Sequence, residues 1–264
     1  MRIKSFGHAA FALILIWLGV LGLIKGTFGQ MWQPVPKWVP AQTALAYLCA
    51  VISLGSGVAL LFPRTAAVAS RVLFAALMAW LLVMRFPYLF FQKPLVLVAW
   101  SFGATAVMVA GAWVLYVWLA SERDRSRLGF VADDRGLRIA SALYGVSLIP
   151  FGLAHFLYME ATAPLIPDWL PWHVGLAYFT GAAFIAAGLS AITGVAARLG
   201  VALSALQMAL FGLIVWIPRV LSGNLSEFQR GEAIQTWVLT AGAWIVADSL
   251  RDKSWLGLRK GASA

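Results

Sequence analysis

Stretches without a single charged residue recur eight times along this chain, at 5–24, 38–63, 72–84, 94–121, 139–159, 169–197, 199–218 and 233–247. A helix needs about 20 apolar residues to cross the hydrocarbon core of a bilayer. Inside that core the backbone must satisfy its own hydrogen bonds, which leaves helices and closed barrels. The stretches are continuous, not short segments of alternating polarity, so they read as helices. The third is short and reaches back to Thr65 if Arg71 lays its stem along the helix and its charge at the surface. The eighth runs on past Asp248 to Leu250. Composition points the same way: 62% of residues are hydrophobic, only 11% are charged, and the mean hydropathy is +0.85. A soluble domain carries about 25% charged residues. The expectation is an all-α integral membrane protein whose surface faces the lipid bilayer.

The net charge of +10 does not indicate nucleic acid as a partner, because the basic residues are scattered between the apolar runs. Lys and Arg collect on the cytoplasmic flanks of membrane helices. With the N-terminus inside, fourteen of the twenty fall in inner segments and six (Lys25, Lys37, Arg85, Lys93, Arg219, Arg230) in outer ones. Both termini are therefore expected in the cytoplasm. Residues 1–25 resemble a signal peptide in charge and hydropathy, but no small-x-small cleavage site follows, so they read as the first membrane helix. Cys49 is the only cysteine, which excludes an intrachain disulfide, a paired-cysteine redox motif and a thiolate cluster.

The chain also matches itself at a spacing of about 131 residues. Trp38-Val39-Pro40 pairs with Trp169-Leu170-Pro171, Ala46-Tyr47 with Ala177-Tyr178, Gly57 with Gly188, and Pro87 with Pro218. One residue out of step, Gly22 pairs with Gly152, Lys25 with His155, and Met78 with Met208. The expected architecture is eight transmembrane helices as two tandem four-helix bundles, a parallel internal repeat about an axis along the membrane normal. The expected boundaries are a first unit at 1–119, a charged cytoplasmic linker at 120–137, a second unit at 138–250, and a basic cytoplasmic tail at 251–264.

Each copy resembles the DoxX-like family of small four-helix bacterial membrane proteins. The resemblance rests on the glycine and cation closing the first helix (Gly22 to Lys25; Gly152 to His155). It rests also on the Pro-Trp-Pro outer loop and the Ala-Tyr opening of the second helix, and it covers roughly residues 7–119 and 138–250. It implies a four-helix bundle unit in the bacterial inner (plasma) membrane. For some members it also implies association with a redox protein complex and quinone-linked oxidation; most have no established activity, and the tandem duplication departs from the single-unit family. A quinone is the ligand or cofactor this resemblance implies. No haem, metal, phosphate-loop or nucleophile motif is present.

The candidate ligand-binding residues are Lys25, Trp38, Tyr47 and Arg85 in the first copy, and His155, Trp169, Tyr178 and Arg219 in the second. Each set would form an outward-facing pocket with a cation and aromatic rings, suited to an anionic or quinone-like head group through charge-assisted hydrogen bonds and stacking. The competing reading is simple anchoring, since Lys, Arg, Trp and Tyr all favour head-group depth. His155 and His173 flank a loop with Glu160 and Asp168, but their spacing fits no metal site, and His8 sits on the opposite side. Gln207 lies near the middle of the seventh stretch, and Gly22, Gly26, Gly55, Gly57, Gly181 and Gly188 read as close-packing positions. The functional expectation is an accessory or ligand-binding membrane subunit linked to quinone metabolism. The alternatives are a small-molecule or lipid transporter and a membrane-bound oxidoreductase. The absence of catalytic motifs weighs against an enzyme.

Overall fold

The computed structural model describes residues 4–223 and 225–257. Among them there are helices and loops and no strand. Arg2, Arg259 and Lys260, three of the cations used above to orient the chain, lie outside the described residues, as does the second half of the basic tail.

Seven helices are long and apolar enough to cross a membrane: α1 (Phe6–Lys25), α2 (Gln42–Leu61), α3 (Ala66–Phe91), α4 (Leu95–Leu119), α6 (Asp134–Leu157), α7 (His173–Thr193) and α8 (Ala197–Leu221). The chain is a multi-pass membrane protein. Between α4 and α6 lies a short helix, α5 (Glu122–Leu128), and the last helix is α9 (Glu227–Asp248). α9 is more polar at its start than the other long helices, with Glu227, Arg230 and Glu232 in its first two turns.

Local chemistry sets the ends. The Ser5 hydroxyl accepts the His8 N–H at the start of α1, and Gly26, at φ 63°, closes it by donating to Gly22 O. Such a left-handed C-cap suits a residue without Cβ. Gly26 is therefore a terminator, not the packing position expected of it. Two features recur at matched places in the two halves. α2 and α7 both begin directly after a left-handed residue, Ala41 at φ 50° and Trp172 at φ 56°, which are 131 residues apart. α3 and α8 both widen into a π-helical turn, at Leu81–Arg85 and Phe211–Trp216, immediately before Pro87 and Pro218. A proline inside a helix lacks an N–H and clashes with the carbonyl four residues back. Adding a residue to the turn removes that clash, and Phe86 N–H bonds Leu81 O, five residues back, at 2.8 Å.

Neighbouring helices form one closed ring: α1, α2, α3, α4, α6, α7, α8, α9 and back to α1, with α4 and α9 also meeting across the middle. The two halves therefore do not stand apart as separate bundles. The last helix of each half packs on the first helix of the other, α4 on α6 and α9 on α1. At the crossing of α4 and α9, a Cβ added to Gly111 would lie 3.1 Å from Gly242 Cα. α6 and α7 approach through two reciprocal pairs: a Cβ on Gly145 or on Gly188 would lie 2.6 Å from the other's carbonyl oxygen, and Gly152 and Gly181 stand likewise at 2.5 and 2.8 Å. Gly22 and Gly57 pack α1 on α2 in the same way, whereas Gly55 faces open space.

One end of the ring, the loop face, carries the connections after α1, α3, α6 and α8. The other, the linker face, carries the start of the chain, the α2–α3 and α7–α8 turns, the linker and the C-terminal segment. On the linker face His8 Nε2 donates to Leu60 O at 3.0 Å, and Ala196 N–H bonds Gly257 O at 3.1 Å. The linker itself is folded, not a solvated connector. Ser121 and Asp124 form a capping box on α5, Trp113 Nε1–H donates to Val131 O at 2.8 Å, and Asp124 pairs with Arg71 on α3 at 2.7 Å.

Asp124 is buried, which by itself raises its carboxyl, but hydrogen bonds from Ser121 and the Arg71 guanidinium outweigh burial and hold it below the usual carboxylate range. A carboxyl held low stabilises the fold fully above its unfolded value, about 4, and that contribution is lost as pH falls through the folded value. Asp124→Ala is expected to cost the linker about 1 kcal/mol through the lost cap and to raise amide exchange across 121–128. Acidification below pH 4 should do the same to the wild type and not to the variant. Exchange unchanged by both treatments would show that the pair does not hold the linker.

Candidate functional site

Two cavities open toward the loop face, one in each half, and they differ in chemistry. The first, about 470 Å³, lies between the loop after α1 and the end of α3. Arg85 forms part of its wall. The π-helical turn in α3 carries Arg85 to the protein interior, where it is 4% exposed. Its Nε–H donates to Thr105 Oγ1 at 3.1 Å on α4, Nη2 donates to Trp32 O at 2.9 Å, and Nη1 donates to Pro34 O. Arg85 thereby ties the loop after α1 to α3 and α4. Trp38 lines the same cavity and donates from Nε1 to Tyr88 Oη at 2.9 Å.

Above the core of the first half, the loop after α1 folds inward. Trp32 is 1% exposed, donates from Nε1 to Ser53 Oγ at 3.0 Å, and meets Trp80 edge-on at 5.1 Å. Trp80 Nε1–H returns a bond to Trp32 O at 3.1 Å. The indole of Trp32 is held between Ser53 on α2 and Trp80 on α3, and its segment packs on α4 and α9. At the matching spacing of 130 or 131 residues the second half has Thr162 and Ala163, neither of which brings a ring. There the corresponding space is empty.

That space is the second cavity, about 620 Å³, enclosed by α6, α7, α8, α9, the loop after α6 and, through Leu97 and Trp100, the start of α4. Its wall is mostly apolar, with Phe151, Phe184, Phe211 and Trp216 prominent, and Thr162 at the loop side. The polar groups are His155 on α6, Tyr158 and Thr162 just after it, Thr180 on α7, Ser226 at the start of α9, and Gln229, Glu232, Gln235 and Thr236 on α9. A cavity of this size with an apolar lining and a few polar groups fits a small amphipathic molecule. His155 Nδ1 lies 2.8 Å from Phe151 O. A carbonyl only accepts, so Nδ1 carries the proton of the neutral ring and Nε2 keeps a lone pair. The imidazole stacks on Phe211 at 6.2 Å with 27° between the planes, and Phe184 flanks it at 5.7 Å.

The eight residues expected to bind ligand are thus distributed unevenly. Trp38 and Arg85 share the first cavity, and His155 lines the second. Lys25 is exposed at the end of α1 and lines neither cavity. Tyr47 places its hydroxyl beside Gly26, outside both linings. Trp169 is exposed and Tyr178 stacks on Phe156 at 5.7 Å, so both lie on the outside of the second half. Arg219 donates from Nη2 to Pro164 O at 2.7 Å. This mirrors Arg85 and Pro34: in each half an arginine near the end of the third long helix ties down a proline carbonyl of the loop that follows the first long helix. His173 Nε2 bonds Pro167 O at 3.2 Å, and Gln207 reaches Thr180 O at 3.4 Å, bridging α8 to α7.

Sequence reasoning missed Glu232, Gln235, Thr236 and the aromatic wall of the second cavity. A signal existed: Glu232 stands at the edge of, and Gln235 within, the uncharged stretch from Ala233 to Ala247. In a membrane segment such residues mark a functional position by default. Comparison with known proteins adds nothing to this chemistry: no family model, no curated protein and no solved structure matches the chain.

Proposed function

We propose that this chain is an accessory, ligand-binding protein of the bacterial inner membrane, built from two DoxX-like four-helix copies, that holds a quinone-like head group in the second cavity. The observation that carries the reading is His155: its ring is fixed by the Phe151 carbonyl and stacked on Phe211, with an unused acceptor nitrogen at a cavity wall. α9 supplies donors and acceptors to the same cavity from another helix. A flat ring with hydrogen-bonding oxygens at its two ends suits polar groups on separate helices, with aromatic faces between them. The apolar remainder of the wall suits the chain attached to such a ring.

In this reading α9 is the eighth span, since its 22 residues extend about 33 Å and it is packed between α8, α1 and α4. The loop face is then the outer face and both termini are cytoplasmic, in keeping with the fourteen-to-six division of basic residues.

The test uses the full chain in neutral-lipid nanodiscs, titrated with a short-chain ubiquinone analogue. His155→Phe keeps the stacking ring and removes the acceptor; Thr162→Trp adds an indole where the first half has one. Each is expected to weaken binding about tenfold or more, the cost of losing one good polar contact or the space itself. Equal binding by wild type and both variants would place the ligand elsewhere and overturn the reading.

A further inference from the structure

The first cavity carries a charge imbalance that its structural role does not explain. Lys37, Arg85 and Lys93 all line it, and its lining includes no aspartate or glutamate. Half of the six cations assigned to this face of the protein therefore lie around one space of about 470 Å³. Among the described residues none of the three forms an ion pair. Clustering like charges raises their mutual repulsion, and removing a charge from water is costly unless an opposite charge meets it. Arg85 is the sharpest case, buried at the end of a membrane helix with carbonyl and hydroxyl oxygens as its only protein partners. Those bonds use three of its five N–H groups, leaving two on the nitrogens that end the fork.

We infer that the first cavity is a phosphate-binding site, in which Arg85, Lys37 and Lys93 together hold a phosphate group at the loop face. The three cations come from three different segments: the loop after α1, the end of α3, and the turn into α4. Donors brought from separate elements suit an oxyanion that accepts in several directions, whereas a planar carboxylate is satisfied by one guanidinium fork. The rest of the wall is Met84, Leu97, Val98 and the Trp38–Tyr88 pair, which gives the site an apolar flank. A phospholipid head group beside its acyl chains matches both halves of that wall; a soluble phosphate ester matches the cationic half. The site shares only Leu97 with the lining of the second cavity, none of its cations, and does not depend on the reading given to that cavity.

The full chain, delipidated in a neutral maltoside detergent, would be titrated with dioctanoyl phosphatidylglycerol, dioctanoyl phosphatidylcholine and inorganic phosphate. Binding would be read by native mass spectrometry and calorimetry. Because Arg85→Gln also cuts the loop free, the decisive variant is Lys37→Gln/Lys93→Gln, whose side chains are exposed. Phosphatidylglycerol is expected to bind the wild type at one site and the double variant about tenfold or more weakly, two cations having been removed. Melting of the unliganded double variant should be unchanged. Phosphate binding without a lipid preference, lost in the double variant, would identify a soluble phosphate ester as the occupant and support the site. Retention of phosphatidylglycerol by the double variant, equal binding of phosphatidylcholine, or binding of neither anion overturns it.

Discussion

Arg85→Ala is expected to lower stability by about 2–4 kcal/mol and to expose the loop after α1 to proteolysis. The substitution removes three charge-assisted hydrogen bonds at once, each ordinarily contributing about 1.5–3 kcal/mol. It takes the guanidinium partner from Thr105 Oγ1 in the interior, removes one of the two bonds to Trp32 O, whose other donor is Trp80, and loosens Pro34 O at its edge. Removing a buried charge offsets part of that cost, which is why the contributions do not simply add. Trp32 is held from several sides, by Ser53, Trp80 and Arg85. Once Arg85 is gone, the Trp32 carbonyl keeps only the bond from Trp80, so the loop is held by one tie fewer at the residue that anchors it. Urea unfolding in detergent and limited proteolysis across 26–41 would report the two effects. Arg85→Lys should fall between, because an ammonium cannot reach three acceptors in a fixed fork. An alanine variant as stable and as protease-resistant as the wild type would show that the guanidinium does not tie the loop.

Gly188→Val carries the second large effect. Even the first carbon of a side chain at Gly188 would lie 2.6 Å from Gly145 O, a backbone atom that cannot rotate away. α6 and α7 must separate to admit it. Overpacking of this kind typically costs about 1–3 kcal/mol, and the upper end applies where backbone meets backbone. The separation also reaches the second cavity, because Phe151 and His155 lie further along α6 and Thr180 and Phe184 further along α7. Loss of thermal stability should therefore come with weakened binding of the ubiquinone analogue. Gly55→Ala is the matched control: a Cβ there meets nothing within 4 Å, and alanine is favoured over glycine in a helix by about 1 kcal/mol. If both substitutions moved the melting temperature alike, the close approach of α6 and α7 would not be a source of stability.

The helices were legible in the sequence because the constraint that makes them is crude. Charge is excluded from hydrocarbon whatever the neighbours, so the uncharged runs mark six of the seven apolar helices to within about five residues. The third run stops at Met84, short of the helix end at Phe91, because Arg85 lies inside that helix. Gly57, Gly181 and Gly188 were readable for a similar reason, as small residues within apolar helices. The ends of the chain's polar elements were readable in principle. Ser121-x-x-Asp124 and Ser226-x-x-Gln229 are capping boxes that announce α5 and α9. They were obscured by the charge that surrounds them. The candidate site was less accessible. Arg85, Lys25 and Arg219 look alike as cations at helix ends; only the wide turn before Pro87 brings Arg85 inside while Lys25 stays exposed. The position of the open cavity depends on Trp32 filling one half and on Thr162 and Ala163 leaving the other vacant. That is a matter of volume between elements distant in sequence, and no local pattern encodes it.

The exchange of closing helices bears on how the molecule comes apart. Each half borrows a wall from the other, so a cut through the linker would leave two fragments with an uncovered flank apiece. Melting should accordingly be cooperative across the whole chain, and a lesion in one half should be felt in the other through α4 and α9. In thermodynamic terms the closed ring of helices is expected to behave as a single folding unit.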